Sequence, residues 1–372
     1  MPKTKKRVRL AESKKPTVIK EAAIISPWVD FLCAGGVSIV GMICLLAYLI
    51  PNYSPQTGTG IILGNVLLLQ ALINWPHFMA SYRLLYMPLE NIRRYKSSAI
   101  YVPAVLLLAA AAALLSGGGL HDGVLQINQD ISYIVWLIAA FYLAWHYTGQ
   151  TWGMISVFSQ LHGIQLDNTE RRILQGGLKT LLVWHVVWGG QDLPVSLLGP
   201  LYPYVPWIFS VASIAALISF LAGVGALLKL KRRTGKSLPA QMLAPWLAIY
   251  VWYLVLFIEP NAYIYVQLSH SLQYLIFPLR IELNRKGIYR LDLQAAGHLA
   301  WSARYYLVLV VSGGVFFYLP GQLMASGTQQ YTVAVLIASM ISIHHYFVDG
   351  SIWKMGDPHV RRSLFLHLNN QK

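Results

Sequence analysis

Charged side chains are scarce in this chain. Only 12% of its 372 residues are charged, whereas a soluble domain carries about 25%, and 56% of them are hydrophobic. Acidic residues are the scarcest, because 14 Asp and Glu stand against 29 Lys and Arg and leave a net charge of +15. This composition excludes an ordinary soluble domain and predicts an integral membrane protein.

Cysteine is nearly absent as well. The chain has two, Cys33 and Cys44, and both lie in the first long apolar run. On one helix this separation amounts to about 16 Å, which is beyond the reach of a disulfide. The sequence therefore predicts no disulfide, no iron–sulfur cluster and no zinc–thiolate site.

Several motifs of soluble enzymes and of nucleic-acid-binding proteins are also missing. The sequence contains no His-Glu-x-x-His motif and no glycine-rich phosphate loop followed by lysine. Its basic residues form short clusters between apolar runs rather than one long patch. The positive charge is therefore typical of membrane orientation and does not predict binding to nucleic acid.

Long apolar runs, by contrast, are abundant. A membrane-spanning helix needs about 20 apolar residues, and this measure predicts about ten spans. The predicted spans are 27–50, 60–82, 98–116, 131–158, 175–190, 205–228, 242–258, 261–280, 303–325 and 329–353. The predicted fold class is all-α, a polytopic bundle of transmembrane helices.

Lysine and arginine are missing from every second loop between these spans. The loops without either residue are 51–59, 117–130, 191–204, 259–261 and 321–329. Basic residues accumulate on the cytoplasmic side of membrane proteins, so the pattern predicts both termini in the cytoplasm. We expect this topology in a bacterial inner membrane.

The predicted domain organisation follows from the same pattern. Residues 1–22 hold eight basic residues and are predicted to be a disordered cytoplasmic tail. Residues 23–358 form a single ten-span domain, and 359–372 form a cytoplasmic C-terminal tail.

Five histidines lie inside the predicted spans, where imidazole is rare unless it has a function. They are His77, His146, His270, His344 and His345. The spans that carry them all run towards the cytoplasmic side. The number of residues between each histidine and the cytoplasmic end of its span estimates the depth of that histidine in the membrane. These depths agree within roughly two helical turns. We therefore expect at least three of these rings to converge within about 5 Å.

The polar neighbours of these histidines are those of a metal site. Asp349 follows His345 by four residues and shares its helix face, whereas His344 is rotated by about 100°. Neutral imidazole binds iron, copper and zinc, and a carboxylate can complete such a site. All five histidines are candidate ligands, with Asp349 as a ligand or as a hydrogen-bond acceptor of His345. Candidates for orienting the rings are Asn74, Gln150, Gln273 and His185.

Three interpretations of this constellation are open. The histidines can hold a metal or metal cofactor, carry protons in a coupled transporter, or only bond helices together. For a metal centre we expect non-haem iron, with copper, zinc and haem as alternatives. A haem-binding or accessory membrane subunit is a further possibility.

The pair His344-His345 with Asp349, and histidines spread over several spans, resemble the histidine-rich integral-membrane oxygenases. These include the membrane fatty-acid desaturases and hydroxylases and the bacterial carotene-cleaving dioxygenases. The desaturase clusters His-x-x-x-His and His-x-x-His-His do not occur here, so the resemblance is one of arrangement. It implies a metal-dependent enzyme that oxygenates, hydroxylates or desaturates a lipid-soluble substrate. The expected partners are membrane lipids and that substrate.

Overall fold

The computed structural model describes residues 22–49, 51, 66–121, 124–191, 193–292, 294–319 and 327–370. Almost all of the predicted N-terminal tail lies outside these residues. Helix dominates the described part of the chain, as predicted. The exception is a short antiparallel ribbon of β1 (Gly119–His121) and β2 (Val124–Gln126).

Ten long helices in the described residues overlap the ten predicted spans. They are α1 (27–49), α2 (66–86), α3 (Ser97–Gly117), α4 (Gln129–Leu161), α5 (Asn168–Gly190), α6 (Val205–Thr234), α7 (Ala240–Ile258), α8 (Tyr263–Arg285), α9 (Ala296–Tyr318) and α10 (Gly327–Ile352). The largest shifts at a helix start concern α5 and α9, which each begin seven residues before their predicted starts at 175 and 303. Shorter helical segments are Leu89–Arg94, Val195–Leu198, Gly199–Tyr204, Pro260–Ala262, Pro358–Leu364 and Leu366–Asn369.

Seven helices of the described chain are long and apolar enough to cross a membrane: α1, α3, α4, α6, α7, α9 and α10. The segment that contains α6 begins at Val195 on this measure. The remaining long helices, α2, α5 and α8, do not reach the same hydropathy. The structure therefore supports a helical membrane protein, whereas the count of ten and the side of each terminus remain predictions.

Helix α4 lies at the centre of the bundle. It packs against α3, α5, α7 and α10, while α2 packs against α8, α9 and α10. Helix α1 packs against α7 and α8, and α6 packs mainly against α5. Large apolar side chains stay exposed along the outer helices, for example Leu107 and Leu108 on α3 and Leu217 and Ile218 on α6. Lipid is the natural cover for a belt of this kind.

An ion network joins the ends of α5 and α6. Asp167 and Glu170 form a capping box at the start of α5, and Glu170 is fully buried. Arg233 of α6 donates to both Glu170 oxygens at 3.0 and 2.7 Å, and Lys229 donates to Asp167 at 2.8 Å. The hydrogen bond from Lys229 lowers the pKa of Asp167 to about 2, so this carboxylate is charged at neutral pH.

The middle of α2 is shaped by Pro76. Proline has no N–H, so the carbonyl four residues earlier, that of Leu72, loses its helical donor. The chain adopts a π-helical turn at Gln70–Asn74, and the Tyr306 hydroxyl of α9 donates to the Leu72 carbonyl. Pro278, in contrast, does not break α8, which runs without interruption through that residue.

The predicted C-terminal tail is helical where the structure describes it. Val360, Leu364 and His367 are buried. Asn284 of α8 donates to the carbonyls of Ser363 and Leu364 at 2.8 and 3.1 Å. The end of the chain therefore packs against α8.

Candidate metal centre

Four helices bring one histidine each to the centre of the bundle. His77 lies on α2, His146 on α4, His270 on α8 and His345 on α10. All four side chains are at most 4% exposed. One possible ligand atom from each residue lies within 4.8 Å of the others, which confirms the expectation that at least three rings converge.

The four rings are arranged as a closed quadrilateral. His77 contacts His345 and His270, with ring centroids 4.3 and 4.7 Å apart, and His146 contacts the same two rings at 5.0 and 4.7 Å. His77 and His146 lie on opposite corners, 6.3 Å apart. Two nitrogens that share an ion at about 2.1 Å lie no more than about 4.2 Å apart, so metal binding requires a contraction of several tenths of an ångström.

Several imidazole nitrogens in this cluster have no hydrogen-bond partner among the described atoms. They are His77 Nε2, His146 Nε2, His270 Nδ1 and both ring nitrogens of His345. A buried polar atom without a partner is costly, and such atoms are few in native proteins. Each of the four residues therefore has a free nitrogen that a metal ion could satisfy.

A chain of polar side chains reaches His77 from α2 and α8. Ser271 Oγ lies 3.3 Å from His77 Nδ1 and donates to Asn74 Oδ1 at 2.6 Å or to the Gln267 carbonyl at 2.8 Å. Asn74 donates in turn to Gln70, and Gln70 donates to Gln267 Oε1 at 2.9 Å. The side chain of Asn74 thus acts on the His77 ring through Ser271.

Asp349 lies beside the cluster on α10. Its Oδ2 is 3.3 Å from His345 Nε2 and 3.8 Å from His146 Nε2. Its Oδ1 is 2.8 Å from the Ser81 hydroxyl and accepts a hydrogen bond from the Tyr274 hydroxyl at 2.9 Å. The carboxylate is held so that one oxygen faces two histidines, which suits a further ligand or an acceptor for His345 Nε2–H.

His344 and His185 lie outside the cluster. His344 Nε2 is 2.8 Å from the Ser98 carbonyl and 3.3 Å from the Tyr86 hydroxyl, on the face of α10 turned towards α3. His185 packs against Tyr147 with ring centroids 6.3 Å apart, and its Nδ1 has no hydrogen-bond partner in the described chain. Neither residue adds a donor to the four-histidine group.

The two glutamines that we expected to orient the rings contact backbone instead. Gln150 donates to the His270 carbonyl at 2.9 Å and lies 3.3 Å from Gln273 Oε1. Gln273 donates to the Ala34 carbonyl at 2.8 Å. They fix α8 relative to α4 and α1, and so place the His270 ring indirectly.

Sequence reasoning missed Ser271, which the structure places against His77. It also missed the roles of Ser81 and Tyr274 as partners of Asp349. Ser81 and Tyr274 do belong to polar stripes at helical spacing, which is a signal that could have found them. Ser271 lies four residues after Gln267 at the same spacing, but a small serine there is equally typical of close helix packing.

An apolar cavity adjoins the cluster. Its volume is about 240 Å³, and it lies between α4, α8, α10 and the C-terminal helix Pro358–Leu364. His146 and Asp349 belong to its lining, as do Met154, Phe277 and Leu364.

Comparison with known proteins yields no relative from which a function could be transferred. No family model, no curated protein and no solved structure matches the chain. The resemblance to the membrane oxygenases is thus neither confirmed nor contradicted.

Proposed function

We propose that this protein is an integral-membrane, metal-dependent enzyme, and that it oxygenates, hydroxylates or desaturates a lipid-soluble substrate. The supporting observation is the buried group of four histidines with free nitrogens. A role limited to helix bonding fits these residues poorly, because it would satisfy the nitrogens with hydrogen bonds between helices.

We propose non-haem iron as the ion. Imidazole nitrogens with a neighbouring carboxylate suit iron, and the same donors also bind copper and zinc. Haem fits the geometry less well, because a porphyrin plane would have to pass between rings whose centroids are 4.3 to 5.0 Å apart. Bound iron would supply the capacity to activate dioxygen.

The residues of the chain would hold the ion, orient its ligands and exclude water. Ser271 positions the His77 ring, and Ser81 and Tyr274 position Asp349. Burial of the four rings keeps bulk water away from the reacting atoms. The adjoining apolar cavity offers room for part of a substrate that arrives from the bilayer.

The test compares two neighbouring histidines of α10. We expect stoichiometric metal in the detergent-purified protein and in His344→Ala, because His344 contacts Ser98 and Tyr86 instead of the cluster. The His345→Ala variant should lose most of its metal, since it removes one of four converging donors. Elemental analysis of both variants at equal purity gives the measurement.

Activity decides between an enzyme and the alternative functions. Oxygen consumption and a change in one lipid class, both dependent on His345, support the proposal. A metal-free protein whose proteoliposomes show proton-coupled uptake would instead indicate a transporter. Absence of metal after reconstitution with iron, together with unchanged cellular lipids, would contradict the proposed function.

A further inference from the structure

The cavity beside the histidines has two chemically different ends. The buried His146 and Asp349 lie at its inner end, and the exposed Lys354 lies at its outer end. Lys354 is exposed and forms no ion pair in the described chain. The nearby carboxylate of Asp357 is already bound by Arg94, with contacts of 2.7 and 2.9 Å. The outer end therefore carries positive charge, whereas the inner end carries a carboxylate.

The wall between these ends is kept open by glycine. Gly149 and Gly153 lie on the cavity face of α4, four residues apart. A Cβ atom added to either residue would meet no other atom within 4 Å. Met154, Val157 and Phe277 supply apolar surface along the same wall. The lining of α4 extends from Trp145 to Val157, about 18 Å along the helix axis.

The cavity is open towards the side of the bundle. Gly149 is exposed, and Trp145, which lies one turn before it, is 47% exposed. Both residues belong to α4, one of the helices apolar enough to span a membrane. A ligand dissolved in the bilayer can thus enter between α4 and α10 without passing through water.

We propose that this cavity binds a single-chain anionic amphiphile, a long-chain carboxylate. Its acid group pairs with Lys354, and its hydrocarbon chain follows the glycine wall towards His146 and Asp349. This inference rests on the proposed function, since it names the substrate class of the same site.

The orientation also matches that of an amphiphile in a bilayer. Lys354 lies two residues beyond the end of α10, where an interfacial head group is expected, while the histidines lie deeper in the bundle. The volume of about 240 Å³ lies below the usual range for small-molecule pockets, about 300–1,000 Å³, so there is room for at most one hydrocarbon chain.

The test is direct binding of radiolabelled palmitate to the purified full-length protein in detergent. Gly153→Leu should weaken binding at least about ten-fold, because its side chain fills the cavity. Gly176→Leu is the matched control, since Gly176 is an exposed helical glycine with equally open space on α5. Lys354→Glu should weaken binding about three- to ten-fold, and Lys354→Arg should not.

Two further readouts separate this inference from the proposed function. Metal content should be unchanged in Gly153→Leu and Lys354→Glu, because neither residue belongs to the histidine group. Hexadecanol, which lacks the charge, should compete poorly with palmitate. Equal binding by Gly153→Leu and Gly176→Leu, or equal competition by hexadecanol, overturns the inference and leaves the metal site intact. Cavity-dependent palmitate binding by a metal-free protein would instead support the binding site and contradict the enzyme.

Discussion

The proton of the Ser271 hydroxyl determines which nitrogen of His77 can bind a metal. Both other neighbours of Ser271 Oγ, the Asn74 amide oxygen and the Gln267 carbonyl, are acceptors. These two contacts, at 2.6 and 2.8 Å, are shorter than the 3.3 Å from Oγ to His77 Nδ1, so they favour placing the hydroxyl proton in one of them and leave Oγ to accept from His77 Nδ1–H. This arrangement favours the His77 tautomer with a lone pair on Nε2, the nitrogen that has no hydrogen-bond partner among the described atoms.

We expect Ser271→Ala to weaken metal binding about ten- to hundred-fold, because residues that orient a ligand ring contribute in this range. The affinity can be measured by competition with a chelator. Ser271→Thr, which keeps the hydroxyl, should restore most of it. Ser269→Ala on the same helix is the control and should bind as the unmodified protein does. Equal affinity in the two alanine variants would contradict the positioning role.

Residue positions within the site were predictable where helical spacing decides them. His345 and Asp349 are four residues apart on one face, and the structure places them 3.3 Å apart. The same rule rotates His344 away from that face, which is where it is found. Ser271 was not predictable, because its role depends on how α8 is rotated against α2, and one sequence does not specify a contact between helices.

At the scale of the element, α2 shows how a proline is accommodated beside a site. Pro76 removes the donor for the Leu72 carbonyl, and in lipid such a group must be satisfied within the protein. Tyr306 of α9 donates to this carbonyl. The next residue after Pro76 is His77, so this bond also holds the turn from which the ligand projects.

We expect Tyr306→Phe to lower the free energy of unfolding by about 1–2 kcal/mol, because in lipid it leaves the Leu72 carbonyl without a donor. Tyr305→Phe is the control. The Tyr305 hydroxyl has no hydrogen-bond partner in the described structure, so its removal should be neutral or slightly stabilising. Thermal unfolding of both variants in the same detergent gives the comparison. A Tyr305→Phe protein as unstable as Tyr306→Phe would show that the hydroxyl contact is not the cause.

Helix existence was more predictable than helix ends. Apolar runs indicated each of the ten long helices, since burial in lipid requires such runs. The boundaries moved where polar residues continue a helix outside the apolar run, as in α5, which begins at Asn168 on its capping box instead of at 175. The ribbon at Gly119–His121 and Val124–Gln126 has no comparable hydrophobic signal.

At the scale of the whole molecule, the topology depends on whether the three long helices of lower hydropathy, α2, α5 and α8, cross the membrane. Helix α2 carries His77 and α8 carries His270, so the site itself lowers their hydropathy. Their lengths of about 31 and 34 Å are sufficient to cross a hydrocarbon core of about 30 Å. In both helices, a ring nitrogen of the histidine lies within 4.8 Å of ring nitrogens of His146 on α4 and His345 on α10. Helices α4 and α10 are themselves apolar enough to span a membrane. Helices α2 and α8 must therefore lie beside them at the same depth.

The number of spans has a consequence that is simple to measure. An even count of ten places both termini on one side, whereas an odd count of seven would place them on opposite sides. Reporter fusions after residues 90, 235 and 290 and at both termini should read as cytoplasmic, and those after 56 and 325 as external. The fusions after 90 and 290 are the most informative, because they follow α2 and α8. If α2, α5 and α8 all failed to cross, as a count of seven requires, the basic clusters at 83–96 and 280–304 would be external, against the usual bias of basic residues. External activity at both positions, or termini on opposite sides, would show that the ten-span topology is wrong.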